Sequence, residues 1–214
     1  MVDRNKSLSD EPVIDLSFTI SGSSVPVDHG YALYSSISRI LPALHGPSWL
    51  GIHPLSGSRT PEALLLTRTS RLTLRLPVEK ITEGLPLAGK VLDVEGSQIV
   101  VGAPSVRALK PSATLVSRQA IVKLTSFPLS SKGRVDESLA RNGVERELRR
   151  QMERLDASGR ITLGALRELR VAGKRVLGFA VRIDDLEPSA SVRVQTVGLG
   201  GKRRMGCGIF IPSR

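Results

Sequence analysis

Two passes of the order strand, helix, strand, strand, helix, strand predict an α+β fold of two tandem ferredoxin-like halves, the second degenerate. Three observations carry this. Residues 13–101 switch between period-2 and helix-period patterning in that order. A second, incomplete pass begins near Pro111. Residues 198–208 then place five glycines and three consecutive cations in eleven positions. The expected division is a disordered leader at 1–11, a first half at 12–107, and a second half at 108–214 carrying the glycine-rich loop at 198–208.

The first half reads in order. Residues 13–20 alternate, with Ile14, Leu16, Phe18 and Ile20 on one face, so they form a half-buried strand. Residues 21–26, rich in Ser and Gly and ending in Pro26, break it. Asp28 is a candidate N-cap, and Leu33, Tyr34, Ile37, Ile40 and Leu41 follow with helical spacing. A short strand is expected at 49–52 and a hairpin at 64–66 and 70–76, with Leu72, Leu74 and Leu76 inward and Arg71, Thr73 and Arg75 solvent-facing. Residues 78–87 suit a short helix, and 90–101 a hairpin turning at Glu95-Gly96.

The second half reads as a strand at 112–124, a charged helix at 136–155, and a hairpin at 161–171 and 174–183 around Gly173. Its second helix is expected to be weak or missing, because only 186–190 is available and Pro188 sits inside it. Residues 191–197 alternate and are expected to form a strand, which puts the glycine-rich loop between the last two strands.

Charge narrows the function. The net charge is +11, and it is uneven: residues 1–110 hold 11 basic and 10 acidic groups, residues 111–214 hold 20 and 10. After Glu187 there is no acidic residue but five basic ones. Such a surface favours a polyanion. Seven aromatics in the chain do not supply an RNA-stacking platform, so binding would rest on phosphates and close backbone approach. The single cysteine, Cys207, excludes an intrachain disulfide and a cysteine-cluster zinc site, and reads as a small packing residue. No apolar run suits a membrane span and the first residues do not pattern as a signal peptide, so a cytoplasmic protein without a membrane partner is expected.

The loop fails the common nucleotide motifs. A P-loop would need Gly where Thr196 stands and Ser or Thr where Arg203 stands. A Rossmann fingerprint would need Gly at Arg203.

The pattern G-L-G, five residues, G-C-G over 198–208 resembles the glycine-rich loop of the RAMP superfamily. Together with 27–34 (VDHGYALY), 51–54 (GIHP), 70–77 (SRLTLRLP) and 201–208 (GKRRMGCG), it makes the chain similar to the CRISPR-associated endoribonucleases of the myxobacterial-type subgroup. That resemblance covers nearly all of the chain after the leader. It implies paired ferredoxin-like (RAMP/RRM-like) domains. It also implies metal-independent cleavage of precursor crRNA within the repeat, by 2′-OH attack leaving 2′,3′-cyclic phosphate and 5′-OH ends, with no cofactor. The implied partners are the CRISPR repeat RNA hairpin, mature crRNA and other subunits of an effector complex.

Histidine suits the proton transfers, its ordinary pKa being about 6.5. Of the three histidines, His29 is preferred because the family's catalytic histidine comes from the first-helix region; His45 follows that helix and His53 lies in a Gly-Ile-His-Pro turn. Tyr31 is the expected helper, while Tyr34 falls on the apolar stripe. Gly198, Gly200, Gly201, Lys202, Arg203, Arg204, Gly206 and Gly208 are the expected RNA-binding residues. The reading requires the fold to bring His29 and this loop together. A non-catalytic RAMP subunit holding guide RNA, or a general basic RNA-binding protein, are the alternatives.

Overall fold

The computed structural model describes residues 11–123 and 137–213. In chain order the elements are β1 (Val13–Ser21), β2 (Ser24–Pro26), α1 (Gly30–Ile40), β3 (Gly51–Ile52), β4 (Ser58–Arg59), β5 (Ala63–Leu65), β6 (Arg71–Pro77), α2 (Ile81–Gly84), β7 (Val91–Val94) and β8 (Ser97–Ala108). The second half follows with β9 (Leu115–Ala120), α3 (Glu137–Arg154), β10 (Arg160–Val171), β11 (Lys174–Asp184), α4 (Pro188–Val197) and β12 (Ile211–Pro212).

The first sheet runs β3-β6-β1-β8-β7 and the second β10-β11-β9-β12. Both contain the ferredoxin order, in which the first strand of each pass sits centrally between the third and the last. The first sheet adds β7 as an extra edge strand, and every pairing in both sheets is antiparallel. Each sheet carries its own apolar core, one around Leu16, Phe18, Leu33, Ile37 and Leu74, the other around Phe179, Ile183, Leu148, Val194 and Phe210. The alternation seen at 13–20 is the cause: one face of β1 is buried against α1 and its flanking segments, and a one-residue slip would expose all four apolar side chains.

Several expectations change. Residues 64–66 and 70–76 do not pair with each other: β5 joins β2 and β4 in a small third sheet, while β6 pairs β1 over seven residues. The longer register wins because it buries Leu72, Leu74 and Leu76 against the core. Arg75 is not solvent-facing but 1% exposed. The strand expected at 191–197 is helix α4, so the second helix is present, and the second half is abbreviated instead at the two-residue β12. Pro188 occupies the first turn, where its missing N–H costs nothing, and Ala190, Ser191, Val194 and Gln195 form the buried face. The glycine-rich loop therefore connects a helix to the last strand. Asp28 does not cap α1; His29 holds that position, and the Asp28 carboxylate accepts the Arg170 N–H at 2.8 Å.

The helix at α2 with its flanking single turns, the hairpin turning at Glu95-Gly96 and the β10–β11 hairpin form as read. The leader at 1–10, residues 124 and 136 at the ends of two expected elements, and Arg214 lie outside the described residues.

Candidate active site

Loop 198–208 is pinned from both halves. From the second half, Gly201 N–H donates to the Ile121 carbonyl and Gly208 N–H to the Gln119 carbonyl, each at 2.7 Å, and Gly200 N–H donates to Gln151 Oε1, also at 2.7 Å. Gly208 has φ +66, and a Cβ there would stand 2.3 Å from the Leu199 carbonyl oxygen, so only glycine closes the loop neck. Gly198 ends α4 with φ +75, and Gly206 packs on Pro54.

The loop meets the start of α1, as the sequence-based reading requires. Gly30 lies so close to Met205 that a Cβ would come within 2.3 Å of its carbonyl oxygen. Arg204 stacks its guanidinium over the Tyr34 ring at 5.4 Å, and its Nη1 donates to the Pro47 carbonyl at 3.4 Å. Lys202 is exposed, in a left-handed conformation. Arg203 differs from expectation: it turns inward, donates to the Thr196 carbonyl at 2.8 Å and packs on Gly51 and Gly198. Burial, then the nearby Arg75 charge, pushes its guanidinium down to about 10. Of the three consecutive cations, Lys202 is exposed, Arg204 is half-buried on Tyr34, and Arg203 is part of the loop's interior.

The three histidines fall into different environments. His29 is 1% exposed. Its Nδ1–H donates to the Pro26 carbonyl at 2.9 Å and its Nε2 accepts the Leu55 N–H at 3.0 Å. Both nitrogens are thus engaged by backbone, and the tautomer is set. His29 is thus a buried, backbone-bonded group at the wall of the cavity between the halves. His53 is also enclosed, its Nε2 bonded to Asp15 Oδ1 at 3.2 Å. His45 alone is exposed. It stacks on Tyr34 with ring centroids 6.1 Å apart and an interplanar angle of 14°.

His45 lines a surface depression of about 310 Å³ with Tyr31, Tyr34, Ser35, Ser38 and Arg39. The Ser38 hydroxyl there is buried, with no hydrogen-bond partner among the described residues. Tyr34 is core, as its spacing suggests, and its Oη accepts the Gly46 N–H at 3.1 Å. Tyr31 is half-buried and opens into the depression. Sequence spacing gave no reason to group Ser38, Arg39 and His45. The signal was available only in part: His45 follows the helix end and its Pro42 turn, where a side chain can fold back on the helix.

A second cavity of about 300 Å³ lies between the halves, lined by His29, Asp28, Arg59, Arg118, Arg167, Glu168 and the loop segment at 205–207. Burial, then the charges of Arg59 and Arg167, lowers the Arg118 guanidinium, so three cations face one space. Burial raises the Cys207 thiol to about 12, which leaves it a packing residue.

Burial also lowers the pKa of His29 and of His53 below the ordinary 6.5, although bonds to Pro26 and Asp15 oppose it. The unfolded chain therefore binds protons more readily than the folded one as pH drops below 6.5. Their contribution is complete above that value and declines beneath it. The unfolding free energy from urea titration is expected to fall as pH goes from about 7.5 to about 5.5, by at most about 1.4 kcal/mol per pH unit for each histidine and with it the midpoint, with a flatter profile in His29→Gln. A midpoint independent of pH over this range would contradict the assignment.

Two ferredoxin-like halves clasping a glycine-rich loop have the architecture of the RAMP class. The chain belongs to the Cas6 CRISPR family: the family model described as Cas6 Crispr matches residues 14–214. It is 38% identical over 199 residues to a CRISPR-associated endonuclease Cas6 from Myxococcus xanthus (strain DK1622), covering 93% of this chain and 81% of that protein. Among solved structures it is similar to a CRISPR associated protein Cas6 with a TM-score of 0.62 and 14% identity, covering 96% of this chain and 100% of that one. It is also similar to a RAMP protein binding different RNA substrates, with a TM-score of 0.64 and 13% identity over 95% and 100% of the chains. At these identities the structural likenesses speak for the fold. Among the described residues no helix is long and apolar enough to cross a membrane.

Proposed function

We propose that this chain is an endoribonuclease that cuts CRISPR repeat RNA, and that cutting takes place in the depression where Tyr31 and His45 meet beside the glycine-rich loop. The observation that carries the reading is an exposed histidine sharing a depression with Tyr31, Tyr34 and Arg39, with the loop's Arg204 stacked over the Tyr34 ring. The family membership and the net charge of +11 agree with it.

The chemistry follows from the residues. A ribose 2′-OH loses its proton and its oxygen bonds to the adjacent phosphorus. The bond from phosphorus to the 5′ oxygen breaks, and that oxygen takes up a proton. The products are a 2′,3′-cyclic phosphate and a 5′-OH. His45 serves the proton transfers, Tyr31 donates a hydrogen bond to the phosphate, and Arg39 and Arg204 offset the charge on the phosphorane. Lys202 holds the flanking strand. His29 supports the start of α1 from beneath without touching RNA. The three arginines of the cavity between the halves extend the electropositive path of the RNA. No metal takes part in this mechanism.

The units are 12–107 and 108–214, the location is the cytoplasm, and the partners are the repeat hairpin, mature crRNA and effector subunits. The test is a repeat hairpin lacking the 2′-OH at the cut: it should bind as tightly as the natural RNA and stay whole. Cleavage of natural RNA should persist in chelator. A requirement for added Mg²⁺ would contradict the metal-free reaction, and binding of natural repeat RNA without any cutting would favour a guide-holding subunit.

A further inference from the structure

Arg75 sits where the two halves and the loop meet. Its Nε and Nη2 bond Asp15 Oδ1 and Oδ2 at 2.8 and 2.9 Å, a bidentate fork. Its Nη1 donates to two carbonyls, Gln195 at 3.0 Å and Phe210 at 2.7 Å. Gln195 lies three residues before the loop and Phe210 two after it, so one nitrogen grips both stems.

We infer that Arg75 is a positioning residue for RNA cleavage, holding both stems of the glycine-rich loop so that Arg204 stands correctly beside His45. The inference rests on the repeat-RNA reading above. The loop's other main-chain anchors, to Ile121, Gln119 and Gln151, all belong to the second half. They fix the loop within the second half, while its tip meets the first half, to which His45 belongs, through Arg204 on Tyr34 and Pro47 and Gly206 on Pro54. Arg75 ties those two frames, and its own aim is set by Asp15, which His53 braces from the other side. The arrangement also tolerates a cost. The loop brings Arg203 into the same interior, beside the Arg75 charge, with its Nε buried and unpartnered. A clasp serving stability alone gains nothing from a second guanidinium there. A planar fork is needed, because an ammonium cannot make the paired bonds to Asp15 and reach two carbonyls at once.

The test is Arg75→Lys, which keeps the charge. Three quantities are read: the single-turnover cleavage rate per active site at saturating protein, the RNA Kd, and deuterium uptake over 196–210. The rate is expected to fall at least about tenfold, since small misplacements are costly in rate, while Kd stays within about threefold because Lys202 and Arg204 keep their charges. Uptake should rise over 196–210 and not over the β10–β11 hairpin. In Arg204→Ala, adding Arg75→Lys should have little further effect on rate, because the cation being positioned is gone. A structural role alone would lower the active fraction and leave the rate per active site unchanged, and that result overturns the inference. Additive effects of the two substitutions overturn it as well. If Arg75→Lys does not fold, Asp15→Asn takes its place with the same expectations at smaller size, and a wild-type rate per active site then decides against the inference. Failure of the wild-type protein to cut repeat RNA would refute the functional reading instead, while the uptake measurement would still decide whether Arg75 holds the loop.

Discussion

His45→Ala is expected to slow repeat-RNA cleavage by about 10²–10⁴-fold while leaving RNA affinity within a few-fold of wild type. The size follows from losing one positioned proton-transfer group. Affinity is spared because His45 is not among the loop cations, and phosphate contacts from Lys202 and Arg204 remain. Folding should be intact, since the His45 side chain is exposed and no hydrogen bond to it is seen among the described residues. His29→Ala gives the contrasting result. It removes two bonds to backbone groups, leaving the buried Leu55 N–H unpaired, and should lower stability by about 1–3 kcal/mol. Its cleavage rate per folded molecule should change far less than that of His45→Ala. Single-turnover cleavage, filter binding and urea denaturation on the two variants separate the roles. The reverse pattern, with His45→Ala cutting normally and a folded His29→Ala inactive, would return the chemistry to the cavity between the halves.

Arg75→Met should destabilise the protein by about 3–5 kcal/mol, the usual scale when one partner of a buried ion pair is removed. Burial by itself would raise the Asp15 pKa, yet bonds from His53 and Arg75 outweigh it and hold the carboxyl well below the usual range. Removing the arginine leaves that carboxylate with only His53, and strips the Gln195 and Phe210 carbonyls of their donor. A second substitution, Asp15→Leu, should recover a large part of the loss, because deleting both charged partners removes the uncompensated desolvation. Equilibrium urea unfolding of the single and double variants measures both effects. A loss under about 1 kcal/mol for Arg75→Met would mean that the network is only a solvated pair.

Much of the fold was legible because it depends on local periodicity. The alternation at 13–20, the apolar arm at 177–183 and the Glu95-Gly96 turn each specify an element from neighbouring residues. The misread elements share one feature: their local pattern supported two answers. Val192 and Val194 alternate as a strand would, but Ala190, Ser191, Val194 and Gln195 also lie on one helical face, and burial against the second sheet selected the helix. Arg75 occupies an outward position of β6 by parity, and parity was read as exposure. In the folded chain that face is covered by the loop stems of the second half.

The candidate site divides in the same way. Composition and the residue pattern were enough to establish a basic chain with a glycine-rich loop near its end, in two ferredoxin-like passes. These are properties of residue type and spacing along the chain. Which cations of the loop are free, and which histidine meets solvent, depended on long-range packing. Arg203 is drawn inward by a carbonyl seven residues away and by glycines from both halves. His29 is closed off by Leu55, 26 residues distant, whereas His45 stays open on Tyr34. Burial and the partner of each nitrogen are set by contacts between segments remote in sequence, so the catalytic assignment waits on the three-dimensional arrangement even where the fold does not.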